Sequence, residues 1–355
     1  MIDFYKNVKS FMKIGTVHTD NNVFKLHYKV TVILIATFSV LLTSKQYFGE
    51  PIDCDVEQRK EVIDTYCWIN GTFILDDTLI NYRTPGFGPA KKQSTDVNRQ
   101  TYYQWVCIVF ALQAVLFYLP RYLWKVCEGG RLKQLVGEFG GPLTSDKWNH
   151  AAKDKLVRNI LHDTYAHKVY TIRYCFCEIL NFANVVTNIY LMDWFINGQF
   201  STYGIAHATY DIINPMNRIF PKMAKCTYYK YGPSGDIQWL DALCILPLNV
   251  LNQKVFLILW YWLFILLIIS FFCILYRAVF MFVPIFRIYL LRAQARKLEG
   301  KKAKFIVKKL SYGDFFVLYR VGKNVNQNVY REIVLSVYDY LAARGTTYKH
   351  FVQDL

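Results

Sequence analysis

Four long stretches of the chain are rich in apolar residues and poor in charge, and the polar residues gather between them. The clearest stretch, Val255 to Tyr276, runs for 22 residues without a charged side chain. At about 1.5 Å per residue, a helix of that length spans about 33 Å, enough to cross a hydrocarbon core of roughly 30 Å. Thr101 to Pro120 is also uncharged, and Val30 to Ser44 lies between two lysines whose long stems can extend the span. The pattern predicts membrane-spanning helices rather than buried helices of a soluble protein.

The fourth stretch, Tyr174 to Met192, is the weakest of the set, because polar residues recur along it at helical spacing. Polar groups inside a bilayer face protein or water rather than lipid. Two interpretations fit this polar stripe: hydrogen bonding between neighbouring helices, or proximity to an aqueous pathway. The stripe consists of Glu178, Asn181, Asn184 and Asn188.

Tyrosine and tryptophan side chains mark the ends of these stretches. The stretch Thr101 to Pro120 opens with Tyr102, Tyr103 and Trp105, and Trp124 follows it. Trp194 comes just after the stretch Tyr174 to Met192. Such rings favour the membrane–water interface, where the ring lies among the headgroups and its polar atom stays hydrated. These aromatic residues are therefore expected at the membrane surface.

Composition and charge agree with a membrane protein. Hydrophobic residues make up 54% of the chain and charged residues 19%, against about a quarter charged in soluble proteins. Of the net charge of +16, residues 1–29, 121–173 and 277–355 carry +3, +5 and +10, whereas residues 45–100 and 193–254 carry −2 and +1, and Glu178 carries the remaining −1. Because basic residues favour the cytoplasmic side, both termini and the middle loop are predicted to be cytoplasmic. Anionic lipid explains the basic tail better than nucleic acid does.

The predicted fold is an all-α polytopic membrane protein of the plasma membrane. It has four transmembrane helices, two disulfide-bridged extracellular loops and a helical cytoplasmic domain. The first span has no cleavage site after it and is expected to stay as an anchor. The predicted segments are a cytoplasmic N-terminal amphipathic helix at 1–28, transmembrane helices at 29–47, 101–123, 173–195 and 255–283, extracellular loops at 48–100 and 196–254, a helical cytoplasmic loop at 124–172, and a helical cytoplasmic C-terminal region at 284–355.

The N-terminal segment has the pattern of a short amphipathic helix. Phe4, Val8 and Phe11 share one face at helical spacing, and lysines occupy the opposite face. Such a helix could lie on the inner leaflet or line the vestibule of a pore. The pattern alone leaves both interpretations open.

Four of the nine cysteines fall in the loops predicted to be extracellular, two in each loop. Disulfides form in oxidising compartments, so a bridged pair of loops is predicted, and four cysteines allow three connectivities. Zinc fits less well, because zinc ligands usually come in close pairs and these cysteines are 13 and 18 positions apart within their loops. The four are Cys54, Cys67, Cys226 and Cys244.

Asn70-Gly71-Thr72 is the only N-glycosylation sequon in the chain. It falls in the first loop that is predicted to be extracellular, a side of the membrane where a glycan can be attached. Asn70 is therefore a candidate glycosylation site.

Motifs of common enzymes are missing from the sequence. It holds no phosphate-binding loop, zinc-protease motif, nucleophile elbow or dinucleotide fingerprint. We expect no enzymatic activity, no cofactor and no metal site.

Several short motifs resemble those of the innexins, the gap-junction proteins of invertebrates, and of the insect-like innexins carried by viruses of parasitoid wasps. The most distinctive motif opens the second span, and together the motifs extend over nearly the whole chain. They are Tyr102-Tyr103-Gln104-Trp105-Val106, Cys67-Trp68-Ile69, Glu128-Gly129-Gly130, Cys226-Thr227 with KYGPSG at 230–235, Cys244 to Asn249, and KLSYGD at 309–314.

This resemblance implies a subunit of a large-pore channel that passes ions and small molecules between adjacent cells. Family hemichannels are octamers, of one innexin or of several, and two of them dock through their extracellular loops at cell junctions. The resemblance also implies the disulfides Cys54–Cys244 and Cys67–Cys226. It places the N-terminal segment in the pore mouth, which favours the vestibule interpretation. The pore-lining candidates are Asp3, Lys6, Lys9 and Lys13.

The sequon departs from the family pattern, which in insects has His-Ser-Thr near this position. A glycan on Asn70, three residues past Cys67, would hinder head-to-head docking. A hemichannel that releases ions or metabolites without docking is therefore the alternative function. A four-span adhesion or receptor protein that uses its outer loops alone is a further alternative.

Overall fold

The computed structural model describes residues 17–57, 59–75, 97–137, 150–209 and 219–353. Most of the predicted N-terminal helix, with Asp3, Lys6, Lys9 and Lys13, lies outside the described residues. In chain order the elements are α1 (Asn22–Phe48), β1 (Asp53–Asp55), α2 (Lys60–Asn70), β2 (Thr72–Leu75), β3 (Val97–Gln100), α3 (Val106–Glu128), α4 (Arg131–Val136), α5 (His150–His162), α6 (Thr164–Phe195), α7 (Phe200–Thr209), β4 (Met223–Tyr231), β5 (Ile237–Ile245), α8 (Pro247–Phe282), α9 (Pro284–Gln294), α10 (Gly300–Lys309), α11 (Tyr312–Gly322) and α12 (Gln327–Gln353).

Four of these helices, α1, α3, α6 and α8, are long and apolar enough to cross a membrane. Within the most apolar part of each, at most 39% of the residues are buried in the protein. The remaining apolar surface needs lipid or a neighbouring subunit to cover it, because soluble proteins rarely expose hydrophobic area on this scale. The prediction of a mostly helical, four-span protein with disulfide-linked loops is confirmed.

Local sequence signals set the ends of the spanning helices. Asn21 caps α1, and its side-chain oxygen accepts a hydrogen bond from the Phe24 amide at 2.6 Å. Pro247 begins α8 at the first helical position, where proline's missing N–H costs nothing. Pro284 follows the end of α8, because a proline disfavours helical backbone at the residue before it. A short 3-10 turn, Tyr102–Gln104, leads into α3.

The chain forms two compact units, to which all four spanning helices contribute. Residues 30–117 and 184–267 make the first, which we call the disulfide unit. Residues 1–29, 118–183 and 268–355 make the second, which we call the tail unit.

A five-stranded antiparallel sheet in the strand order β1-β5-β4-β2-β3 lies in the disulfide unit. Three strands come from the loop after α1 and two from the loop before α8, so the sheet interleaves the two loops. With α2 the sheet forms what we call the disulfide domain. Its buried core is small, and four of its ten residues are cysteines: Ile52, Cys54, Ile63, Cys67, Ile74, Ala224, Cys226, Ala242, Cys244 and Leu246.

The tail unit holds a larger core, built by α4, α5 and α9 to α12. Ile160, Ile306, Leu318 and Ile333 are among its fully buried residues. Helix α11 approaches α6 so closely at Gly313 that a Cβ atom there would lie 2.9 Å from the Lys168 backbone. Only glycine fits this position without displacing the neighbouring helix.

Two features differ from what the sequence indicated. The sequence pattern predicted no strands in the two loops, but β1 to β5 form a sheet there. The interpretation of the aromatic residues as interfacial is wrong for Trp124 and Tyr103, which are 0% and 1% exposed. Trp124 packs against Tyr174 in the tail unit, with ring centroids 4.9 Å apart. Trp105 and Trp194 are exposed by 57% and 73%, so they are free to meet lipid.

Candidate functional site

Two disulfides join the two loops within the disulfide domain. Cys54 is bonded to Cys244, its partner in the register of β1 and β5, and Cys67 is bonded to Cys226. The sulfurs of Cys54, Cys67 and Cys244 lie within 4.8 Å of one another, a spacing that could hold a metal ion. All three sulfurs are already bonded to another cysteine, however, so none is a thiolate that could bind zinc.

The carboxylate of Asp64 stabilises the start of the sheet. It accepts a hydrogen bond from the Cys54 amide at 2.8 Å, which fixes α2 against β1. Burial raises the pKa of the Asp64 carboxyl, although the hydrogen bond from Cys54 acts in the opposite direction. Desolvation is the larger of the two effects.

The motif Tyr102 to Val106 connects the start of α3 to the disulfide domain. Tyr103 stacks on Trp68, with ring centroids 4.6 Å apart. The side-chain amide of Gln104 donates a hydrogen bond to the Trp68 carbonyl at 2.6 Å. The Tyr102 hydroxyl donates to the Ile219 carbonyl at 2.9 Å, just before β4. The motif therefore anchors both loops to the end of a spanning helix, a role that its composition alone did not reveal.

The β4–β5 hairpin presents an exposed aromatic surface. Tyr231 and Trp239 are exposed by 69% and 71%, and Ile237 by 52%. The rings of Tyr229 and Trp239 meet edge to face at 5.1 Å, which holds the surface in a defined shape. A contiguous apolar surface on a cross-linked scaffold is typical of a protein–protein contact. We call these four residues the hairpin patch.

Asn70 ends helix α2 and is exposed. Gly71 follows with a φ of +82°, a conformation that other L-residues rarely adopt. The turn leaves the Asn70 side chain accessible to modification.

The polar stripe on α6 packs against protein along its length. Glu178, 6% exposed, forms a two-bond ion pair with Arg277 of α8, with both N–O distances at 2.8 Å. Asn181 is buried. Asn184 donates to the Leu116 carbonyl at 3.1 Å, and Asn188 donates back to the Asn184 carbonyl at 2.8 Å.

Several buried charges in the tail unit were not singled out from the sequence. Arg121 is paired with Asp20, which also accepts a hydrogen bond from the Tyr28 hydroxyl at 3.0 Å. Nδ1 of His167 lies 3.0 Å from the Asp314 carboxylate. The sequence does contain a feature that indicates ion pairs for two arginines. Arg121 and Arg277 each lie directly after an uncharged run, where a charge needs a partner.

The His167–Asp314 pair has a structural rather than a catalytic arrangement. Asp314 also accepts a hydrogen bond from the Ser311 hydroxyl at 2.7 Å, so the serine faces the carboxylate instead of the imidazole. A serine nucleophile would need the imidazole as its base. Ser311 instead caps α11, and its oxygen accepts from the Asp314 amide at 3.3 Å.

The segment just before α1 is held by α11 and the turn after it through the backbone of His18. The Asn324 side chain receives a hydrogen bond from the His18 amide and donates to the His18 carbonyl at 3.1 Å. Arg320 donates to the same carbonyl at 3.3 Å. Asn324 and Arg320 are 6% and 3% exposed, so these contacts are shielded from water.

Comparison with known proteins agrees with this architecture. The sequence profile of the innexin family matches residues 20–341. Innexin inx2 of Drosophila melanogaster is 43% identical over 346 residues, and the match covers 94% of each chain. Innexin inx2 of Schistocerca americana is 42% identical and covers 94% of this chain and 96% of its own. Innexin shaking-B of Drosophila melanogaster is 36% identical, covering 94% of this chain and 93% of its own.

The family match extends over both units, all four spanning helices and the disulfide domain. Innexins are a channel-forming family rather than an enzyme family. The chain therefore belongs to the innexin family, and it is a subunit of a gap-junction channel that passes ions and small molecules between adjacent cells.

Proposed function

We propose that eight copies of this chain form a hemichannel, and that two hemichannels dock head to head through their disulfide domains. The N- and C-termini then lie in the cytoplasm, and the pore mouth is lined by the N-terminal segment with Asp3, Lys6, Lys9 and Lys13. The octamer takes up this chain alone or together with other innexins. The uneven distribution of basic residues supports the orientation.

The hairpin patch is the observation that carries the docking proposal. Its aromatic residues project from a sheet that two disulfides hold together, so the surface is rigid and apolar. A rigid patch loses little conformational entropy when it binds, which favours contact between two large assemblies.

Paired cells that express the chain test this proposal. Trp239→Glu places a charge in the hairpin patch and should abolish dye transfer between cells, while surface protein and particle size stay unchanged. Tyr165→Glu is the matched control, because Tyr165 is also a largely exposed aromatic residue (81%) and lies at the start of α6. Dye transfer that persists in Trp239→Glu would exclude the patch from docking. A smaller particle would assign the patch to subunit assembly instead.

A non-docking hemichannel is the second candidate, and the exposure of Asn70 favours it. A glycan at the end of α2 would project from the same domain that must dock. If Asn70 carries one, Asn70→Gln should increase electrophoretic mobility and raise dye transfer between cells. Unchanged mobility would show that no glycan is present and would remove the reason for this candidate.

A further inference from the structure

A cavity of about 510 Å³ lies in the tail unit beside the first turn of α1. Its walls come from three places: the segment 18–25, the part of α8 between 269 and 277, and the end of α11 with Lys323 just after it. The cavity lies beside the first turn of α1 and the end of the uncharged run of α8 at Tyr276, so we expect it at the level where lipid headgroups meet the protein. Its polar lining includes His18, Asn21, Lys25, Tyr276, Arg320 and Lys323.

Three largely buried arginines surround the first turn of α1, and two of them have an acidic partner among the described residues. Arg121 pairs with Asp20 and Arg277 with Glu178. Within the part of the chain that the structure describes, Arg320 has no carboxylate within ion-pair distance. Its contacts are the His18 carbonyl and the face of Tyr174, 5.3 Å from the guanidinium carbon. A buried charge without a counter-ion is unfavourable, so this position favours an anion.

Other basic groups add to the positive potential of the cavity. Lys25 and Lys323 both line it, and Lys25 Nζ lies 3.5 Å from Nδ1 of His18. Burial, followed by the charges of Lys25 and Arg320, lowers the pKa of His18. Asp20 is the carboxylate in the lining, and its oxygens are already engaged by Arg121 and Tyr28.

One wall of the cavity is apolar and continues along α8. Ile269 lies in the lining, and Phe272 beside it is 60% exposed. A headgroup bound among the lysines could therefore extend its acyl chains over this surface, whereas a free phosphate would leave it uncovered.

We propose that this cavity binds the phosphate group of an anionic ligand, with the headgroup of an anionic phospholipid as the favoured source. Arg320, Lys25 and Lys323 supply the charge, and the Tyr276 hydroxyl supplies a hydrogen bond. Because Arg320 also holds the His18 backbone, the ligand would stabilise the junction between α1 and α11. The proposal depends on neither docking nor the number of subunits.

Binding of short-chain ligands to the purified full-length protein in detergent tests the proposal. Dioctanoyl phosphatidic acid presents the phosphate with acyl chains, glycerol 3-phosphate presents it without chains, and dioctanoylglycerol has the chains without the phosphate. We expect saturable binding of the phosphatidic acid by microscale thermophoresis, with weaker binding of the other two. Equal binding of phosphatidic acid and glycerol 3-phosphate would support the phosphate site and identify a soluble source.

Charge variants show whether the binding occurs in this cavity. Lys25→Gln with Lys323→Gln should weaken phosphatidic acid binding by about tenfold or more, because each basic residue near an anionic headgroup contributes favourably. Lys308→Gln with Lys309→Gln removes the same charge from exposed positions of α10 outside the cavity lining and should change binding less than about twofold. Arg320 is left unchanged, since it is buried and holds His18.

Three results would overturn the proposal. The first is no saturable binding of phosphatidic acid. The second is binding of dioctanoylglycerol that is as tight as binding of phosphatidic acid, since the phosphate would then be unnecessary. The third is an equal loss in the two double variants, which would indicate a general effect of charge. Unchanged elution of each variant in size-exclusion chromatography shows that it is folded.

Discussion

The tail unit and the disulfide domain are stabilised by different means. The tail unit buries 21 residues in one hydrophobic core and adds ion pairs such as Glu178–Arg277, without a disulfide among its described residues. The disulfide domain buries ten residues, of which four are cysteines in two disulfides. Small domains bury too little apolar surface to be stable alone and commonly depend on cross-links. The difference shows that covalent bonds replace a core where the loops are too short to build one.

The largest effect is expected from the ion pair in the tail unit. Glu178→Gln leaves the Arg277 charge buried without a partner and should lower the free energy of unfolding by about 3–5 kcal/mol. The melting temperature of the purified protein should fall to the same extent with and without reductant, because no disulfide is involved.

A double variant controls for the loss of the charge itself. Glu178→Gln with Arg277→Gln removes both charges and should recover most of the melting temperature. If the single variant has the same melting temperature as the parent protein, the ion pair does not stabilise the tail unit. The claim that ion pairs contribute to the stability of this unit would then be wrong.

The next largest effect is expected from a disulfide. Cys67→Ser should cost about 2–5 kcal/mol and reduce both surface delivery and dye transfer between paired cells. Cys175→Ser is the matched control, since Cys175 is an unbonded cysteine on α6, and it should behave like the parent protein. Normal junctions in Cys67→Ser would show that the disulfide domain does not depend on its cross-links.

The smallest effect is a pH dependence within the disulfide domain. Burial raises the pKa of Asp64 above its value in the unfolded chain, so the folded state binds the proton more tightly. The free energy of unfolding should therefore increase as the pH falls from neutral through the pKa that Asp64 has in the folded protein. This stabilisation is lost again as the pH rises. Reduction of the disulfides by a phosphine should be slower at the lower pH.

Asp64→Asn is the control for this pH dependence. An asparagine oxygen can still accept the hydrogen bond from Cys54, but it does not titrate in this range. The variant should show a flatter dependence of the reduction rate on pH. A parent protein that is reduced faster at the lower pH would contradict the assigned role of Asp64.

The spanning helices could be predicted from sequence because their signal is local and long. Val255 to Tyr276 has no charge, and the structure includes it in the 36-residue helix α8. The sheet could not be predicted in this way. Strands β1 to β3 are three or four residues long and pair mostly with residues far away in the chain, so no window of sequence contains the pattern.

The candidate site residues also differed in whether a local sequence signal could identify them. The cysteines were found by their location in the loops, but their pairing rested on family resemblance, because spacing allows three connectivities. The Arg320–His18 contact joins residues 302 positions apart, and nothing near either residue in the sequence indicates the other. For Trp124 a sequence rule gave the wrong location. Tryptophan generally prefers the membrane–water interface, but Trp124 packs against Tyr174 inside the protein.

The interleaved sheet has a consequence for biosynthesis. Cys54 and Cys244 are separated by 190 positions, and β1 pairs with β5, which is made much later. At about 5–20 residues per second the ribosome needs roughly 10–40 s to make that intervening chain. During this interval the two spanning helices α3 and α6 must also be made, while the cysteines of the first loop wait for their partners. The two disulfides can therefore form only after β4 and β5 have been made.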